Sequence, residues 1–142
     1  MRYADTCLLV SLFIHDSGTV AALRWLKMVG AEPLLASYWS LTEFASAAGV
    51  LARTGRIPPD LQRRALVKFH RFAKARLTLE APNASDFERA AGMLERYDSG
   101  LRAGDALHLA ICARLGAVLS TADTRMADAA SANGLRVERI DR

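Results

Sequence analysis

The sequence predicts an α/β domain built on a parallel sheet, and three observations carry that prediction. Short apolar stretches of strand length alternate with longer helical patterns along the chain. Between them fall Gly, Pro, Ser and Asn residues of the kind that end one element and start the next. The third observation is size: 142 residues, 51% hydrophobic and 24% charged, fit one ordinary globular domain over residues 1–142 with enough chain to bury a core.

Met1 to Thr6 reads as a strand ending at Asp5, and Cys7 to Ile14 as a helix that starts at once, with Thr6 in position to cap it. From Ser17 to Gly30, Val20, Leu23, Leu26 and Val29 recur near the helical period, and Gly30 is a stop. Leu34 to Ser37 is a second strand. Trp39 to Arg53 is rich in Ala and Leu and presents Glu43, Ala47 and Val50 along one side. With Glu43 as its single charge as far as Ala52, this helix is expected to be mostly buried. Thr54-Gly-Arg-Ile-Pro-Pro breaks the pattern, and a helix from about Pro59 to Ala75 turns Leu61, Ala65, Phe69, Phe72 and Ala73 toward the core.

Leu77 to Glu80 is a third strand, and Asn83 or Ser85 caps a helix that runs to Tyr97. Gly104 to Leu115 is a helix closed by Gly116, and Ala117 to Ser120 a buried strand. Asp123 to Ala132 is a helix closed by Asn133-Gly134, and Arg136 to Ile140 is a last strand. There is no internal repeat or low-complexity segment.

Composition narrows the function classes. No apolar run approaches the roughly 20 residues that span a bilayer. The run from Leu8 to Ile14 follows an acid and lacks a small-residue cleavage site, so it reads as core rather than as a secretory signal. Cys7 and Cys112 have no CxxC partner, which fits reduced, buried thiols in a cytoplasmic protein and argues against a zinc or redox role.

Four isolated carboxylates carry the functional reading. Asp5 is the only Asp, Glu, Lys or Arg from Tyr3 to His15, Glu43 from Pro33 to Ala52, Asp105 from Ala103 to Ala113, and Asp123 from Leu115 to Thr124. A carboxylate on an apolar surface is costly unless something pairs it, and one shared cation would pair all four. Each has a structural explanation as well. Asp105 suits the first turn of a helix and Asp123 a helix start, whereas Glu43 on an apolar helix and Asp5 at the end of a strand are harder to explain that way. Together they make a stronger case, because all four are acids in a chain where 19 bases outnumber 15 acids. Asp5 and Asp123 also fall at or just past strand ends, where ligands of parallel sheets bind.

His108, one turn after Asp105, reads as a packed, hydrogen-bonded core histidine rather than as a ligand or general base. His15 and His70 have no partners at ligand spacing. Formal charge is +4, so gathering four acids into one pocket leaves a more basic remainder, compatible with a polyanion. Eight Lys and Arg from Arg53 to Arg76 face the single acid Asp60. This row is either a solvated helix surface or a phosphate-binding face, with Arg64, Lys68 and Arg71, and Arg102 beside the acidic motif, as candidate contacts to a polyanion.

Four motifs in order, Tyr-Ala-Asp5-Thr6, Leu-Thr-Glu43, Leu-Arg-Ala-Gly-Asp105-Ala-Leu-His-Leu-Ala and Ser-Thr121-Ala-Asp123, resemble the PIN-domain nucleases. More closely they resemble the VapC toxins of toxin-antitoxin pairs, over nearly the whole chain. The resemblance implies a three-layer α/β/α domain whose parallel sheet has four to five short strands in the order 3-2-1-4-5. It implies an Mg²⁺- or Mn²⁺-dependent endoribonuclease, a homodimer, and inhibition by a small VapB-like antitoxin. By motif match, Asp5, Glu43, Asp105 and Asp123 correspond to the catalytic acids, with Thr6 and Thr121 as supporting hydroxyls. Cys7 departs from the more usual serine after Asp-Thr.

Mg²⁺ prefers oxygen ligands and keeps several waters, which suits this donor set, with Asp5 and Asp105 expected as direct ligands. Two rivals remain open at this level. One is a haloacid-dehalogenase-like phosphatase, whose pattern wants a second Asp where Cys7 stands. The other is a non-catalytic RNA- or partner-binding module using the 53–76 face.

Overall fold

The computed structural model describes residues 1–141. In chain order the elements are β1 (Arg2–Ala4), α1 (Thr6–Phe13), α2 (Thr19–Val29), β2 (Leu34–Ser37), α3 (Tyr38–Arg53) and α4 (Pro59–Arg76). Then come β3 (Leu77–Glu80), α5 (Ala84–Leu94), α6 (Ala103–Leu115), β4 (Val118–Thr121), α7 (Thr124–Ala132) and β5 (Val137–Arg139). The five strands form one parallel sheet in the order β3-β2-β1-β4-β5.

Strand alternation sorts the side chains into two layers. Tyr3, Leu35 and Leu119 pack with Ala106, Leu109 and Ile111 of α6 and Met126 and Ala130 of α7. Ala4, Leu34 and Ala36 point the other way, into a core with Leu8 and Leu9 of α1, Trp25 of α2, Phe44 of α3 and Phe69 of α4. Phe44 and Phe69 stack there with ring centroids 3.9 Å apart. The result is the three-layer α/β/α sandwich expected from the motifs.

The chain leaves β1 for β2 on one side of the sheet and later returns to lay β4 on the other. The strand order therefore reverses between β1 and β4, which opens a crevice at their carboxyl ends. Glu138 of β5 braces this pair: its Oε2 accepts from Arg2 Nε at 3.0 Å, Trp25 Nε1 at 3.0 Å and Ser120 Oγ at 2.7 Å. The Asp5 N–H donates to the Ser120 carbonyl at 3.2 Å, carrying the pairing one residue past β1.

Several local expectations are corrected. Asp5, not Thr6, caps α1, because the helix starts at Thr6, one residue earlier than expected, and this puts Asp5 at the N-cap with the Leu8 N–H in reach. Helix α5 takes the Asn83 cap and stops at Leu94, three residues before Tyr97. Helix α3 is buried only at Ser40, Phe44 and Ala48; its Ala-rich remainder is at or near the surface, so low charge did not mean full burial. Cys112 is buried, but Cys7 is exposed. Among the described residues no helix is long and apolar enough to cross a membrane.

Candidate active site

Asp5, Glu43, Asp105 and Asp123 all line one cavity of about 240 Å³, together with Thr6, Cys7, His108 and Asp16. The cavity lies at the crevice between the ends of β1 and β4. Four stretches far apart in the chain are thus brought to one place.

Asp5 is 2% exposed. Its Oδ1 accepts the Leu8 N–H at 2.7 Å, capping α1, and its Oδ2 accepts the Thr121 hydroxyl. Burial pushes the carboxyl above its usual range, and the nearby Asp123 charge adds to the shift, against the stabilising bonds from Thr121 and Leu8. Asp105, in the first turn of α6, reaches back so that Oδ2 accepts the Arg102 N–H at 3.2 Å. It too is pushed up by burial, with Asp123 and Glu43 adding like charge.

Asp123 caps α7, accepting the Met126 N–H at 3.1 Å, and its own N–H donates to Thr121 Oγ1 at 3.0 Å. Thr121 therefore bridges two of the acids, taking a bond from one and giving a bond to the other.

Glu43 differs from its neighbours. Burial alone would raise its carboxyl, but hydrogen bonds from His108 and Thr6 outweigh that and hold it below the usual range. The indole Nε1 of Trp39, buried short of any full hydrogen bond among the described residues, adds to the effect. The other carboxylate oxygen, Oε1, rests over Gly104, where a Cβ would lie 2.7 Å away. The site thus contains one carboxylate that the protein stabilises as an anion and two that it destabilises.

The donor set fits a hard divalent cation. It is made of carboxylates and hydroxyls, and both ring nitrogens of His108 are engaged within the protein. Among the described residues no three His, Cys, Asp or Glu are grouped so that they could hold a metal ion together.

Asp16 was not foreseen. It lies beyond the apolar run of α1, and its Oδ2 accepts from Ser11 Oγ at 2.8 Å while Oδ1 accepts the Gly18 N–H at 2.7 Å. The Asp-Ser-Gly turn signature was the available signal. Of the basic candidates, Arg64, Lys68 and Arg71 line a separate surface with Arg63 and Val67, away from the acidic cavity. Arg102 adjoins Asp105 only through its backbone N–H, and its side chain is not part of the cavity lining.

Residues 2–132 match the sequence profile of the PIN domain. The chain belongs to the PIN domain family. PIN domains are nucleases, in general dependent on a divalent metal ion. Solved structures share this PIN fold over almost their full length. The Mycobacterium tuberculosis toxin VapC20, described as cleaving the sarcin-ricin loop, superposes with a TM-score of 0.73 at 22% identity, covering 98% of this chain and 99% of that one. VapBC2 from Rickettsia felis, bound to a promoter DNA fragment, gives 0.71 at 17% identity over 99% and 100%. FitAcB from Neisseria gonorrhoeae gives 0.65 at 15% identity over 96% of each chain. No curated protein sequence matches the chain.

Proposed function

We propose that this PIN domain is a divalent-metal-dependent endoribonuclease that acts as the toxin of a toxin-antitoxin pair in the cytoplasm. The observation that carries the reading is the meeting of four distant carboxylates at the β1–β4 crevice, two of them held above their usual range by burial. The PIN profile and the likeness to VapC20, VapBC2 and FitAcB support it.

Asp5 and Asp105 would hold Mg²⁺ or Mn²⁺ directly, and Glu43 and Asp123 would complete the site by accepting from its waters or by ligation. When bound, the ion supplies an activated water and charge stabilisation for in-line cleavage of a phosphodiester. Thr121 fixes the Asp5 carboxylate through its hydroxyl and Thr6 helps to hold Glu43 charged. Asp105 and Asp123 are set by the first turns of α6 and α7, so the geometry rests on helix starts rather than on mobile loops.

Arg102, beside Asp105, and Arg64, Lys68 and Arg71 on α4, are proposed to bind the RNA backbone. The α4 row then contacts a part of the substrate remote from the cut. A VapB-like antitoxin and a homodimer are the proposed partners. Cys7, where the related motif has serine, leaves the cavity wall with a weaker hydrogen-bonding group.

The test is RNA cleavage by the purified protein with Mg²⁺ or Mn²⁺ against excess EDTA, comparing wild type with Asp5→Asn and Asp105→Asn. Cutting by wild type alone, and only with metal, supports the proposal. RNA binding without cutting by any form leaves a non-catalytic module. Cutting in excess EDTA contradicts the metal-dependent reading.

A further inference from the structure

His108 is 2% exposed, yet its ring is not simply packed. Nδ1 lies 2.7 Å from the Tyr3 hydroxyl, and Nε2 lies 3.0 Å from Glu43 Oε2 and 3.1 Å from Thr6 Oγ1. Glu43, a carboxylate held charged, can only accept, so Nε2 must carry a proton. The Tyr3 phenol, protonated at neutral pH as phenols ordinarily are, can donate to Nδ1.

These contacts form one directed chain: Tyr3 to His108, His108 to Glu43. It runs from β1 through α6 to α3. Three layers of the fold are thereby committed to the position of a single carboxylate.

We propose that His108 is a positioning residue for Glu43, held through Nδ1 by Tyr3 so that its Nε2–H fixes the Glu43 carboxylate at the edge of the cation site. The proposal rests on the reading of the cavity as a divalent-metal site. Partners of this kind orient the groups around a metal, and their loss typically costs about 10- to 100-fold in metal affinity or activity.

Two measurements on the full chain test it, neither needing RNA. Nitrogen-15 NMR of the ring reads the tautomer: wild type is expected to show Nε2–H alone, and Tyr3→Phe a mixture of tautomers. Calorimetric titration with Mn²⁺ reads the site: His108→Leu is expected to bind about 10-fold more weakly or worse, and His108→Gln, whose amide can still donate to Glu43, to recover most of the loss. Equal loss in the Gln and Leu variants, or wild-type affinity in a folded Leu variant, overturns the proposal. If the Leu variant does not fold, Tyr3→Phe decides, and an unchanged tautomer and affinity there overturn it. An Nδ1–H tautomer in wild type overturns the positioning role alone, whereas failure of wild type to bind Mn²⁺ overturns the nuclease reading, so the two failures are told apart.

Discussion

Thr121 Oγ donates to Asp5 Oδ2 across the β1–β4 crevice, while the same oxygen accepts the Asp123 N–H. The strand pair at the centre of the sheet thus aligns a buried carboxylate and a helix cap through one hydroxyl. Each Asp5 oxygen already has one protein donor, yet burial still holds the carboxyl above its usual range. The hydrogen bonds stabilise the anion without offsetting the cost of burying it, and stability and function are therefore opposed at this residue.

Asp5→Asn keeps an oxygen for the α1 cap and removes the buried charge. Thermal unfolding of the metal-free protein is expected to rise by a few degrees, since about 1 kcal/mol corresponds to roughly 3–5 °C in a chain of this size. RNA cleavage is expected to fall by about 100-fold or more, as on loss of a group acting on developing charge. A variant that is less stable than wild type but still cuts would contradict both halves.

Metal and protons compete at this site, and the signs can be worked out. Asp5 and Asp105 are raised in the folded state, so in the metal-free protein their ionisation opposes folding at neutral pH. That opposition is relieved as pH falls through their raised values toward the ordinary 3.8. Glu43 is lowered, so its contribution is full above 4.5 and is lost as pH falls through its folded value. Unfolding temperature in EDTA is expected to climb on mild acidification and then drop. Added Mn²⁺ at about 100 times its Kd should contribute about 2.7 kcal/mol, or on the order of 10 °C, near neutral pH and progressively less under acid. A metal-induced rise that does not shrink under acid would argue against carboxylate ligands.

Gly104 leaves room for Glu43 Oε1 at the start of α6. Alanine is a better helix former by about 1 kcal/mol, so Gly104→Ala should fold at least as well as wild type, with Glu43 displaced. Cleavage is expected to drop about 10-fold while the unfolding temperature holds. Full activity in this variant would show that the seat of Glu43 does not matter.

The row Arg64, Lys68 and Arg71 is separate from the acidic cavity. Alanine at each position should weaken RNA binding and flatten the dependence of log affinity on log salt by about 0.7 per phosphate contact with a single strand. Cleavage of saturating RNA should be little changed. Unaltered salt dependence in the triple variant would mark the row as a solvated surface.

The elements were largely legible in the sequence because they follow local rules. Leu34 to Ser37 and Leu77 to Glu80 were read to the residue, with Pro33 just before the first and Pro82 just after the second marking where pairing stops. The four acids stood out because each is the lone charge in an apolar stretch, a pattern that desolvation penalises unless the fold answers it. What stayed hidden depends on long-range geometry. Whether Asp5 or Thr6 caps α1 turns on which residue starts the helix, and Cys7 faces the cavity because α1 begins there at the crevice. Tyr3 and His108 are separated by more than a hundred residues, and neither position alone signals a partner. Asp16 escaped notice because it ends its charge-free stretch instead of standing inside one.

The claim that these carboxylates share one cation is tested most directly by locating the ion. Crystals soaked in Mn²⁺ and measured at its absorption edge are expected to show an anomalous peak in the cavity, with oxygens of Asp5 and Asp105 within about 2.5 Å. A peak outside the cavity, or none there at saturating Mn²⁺, would contradict the account.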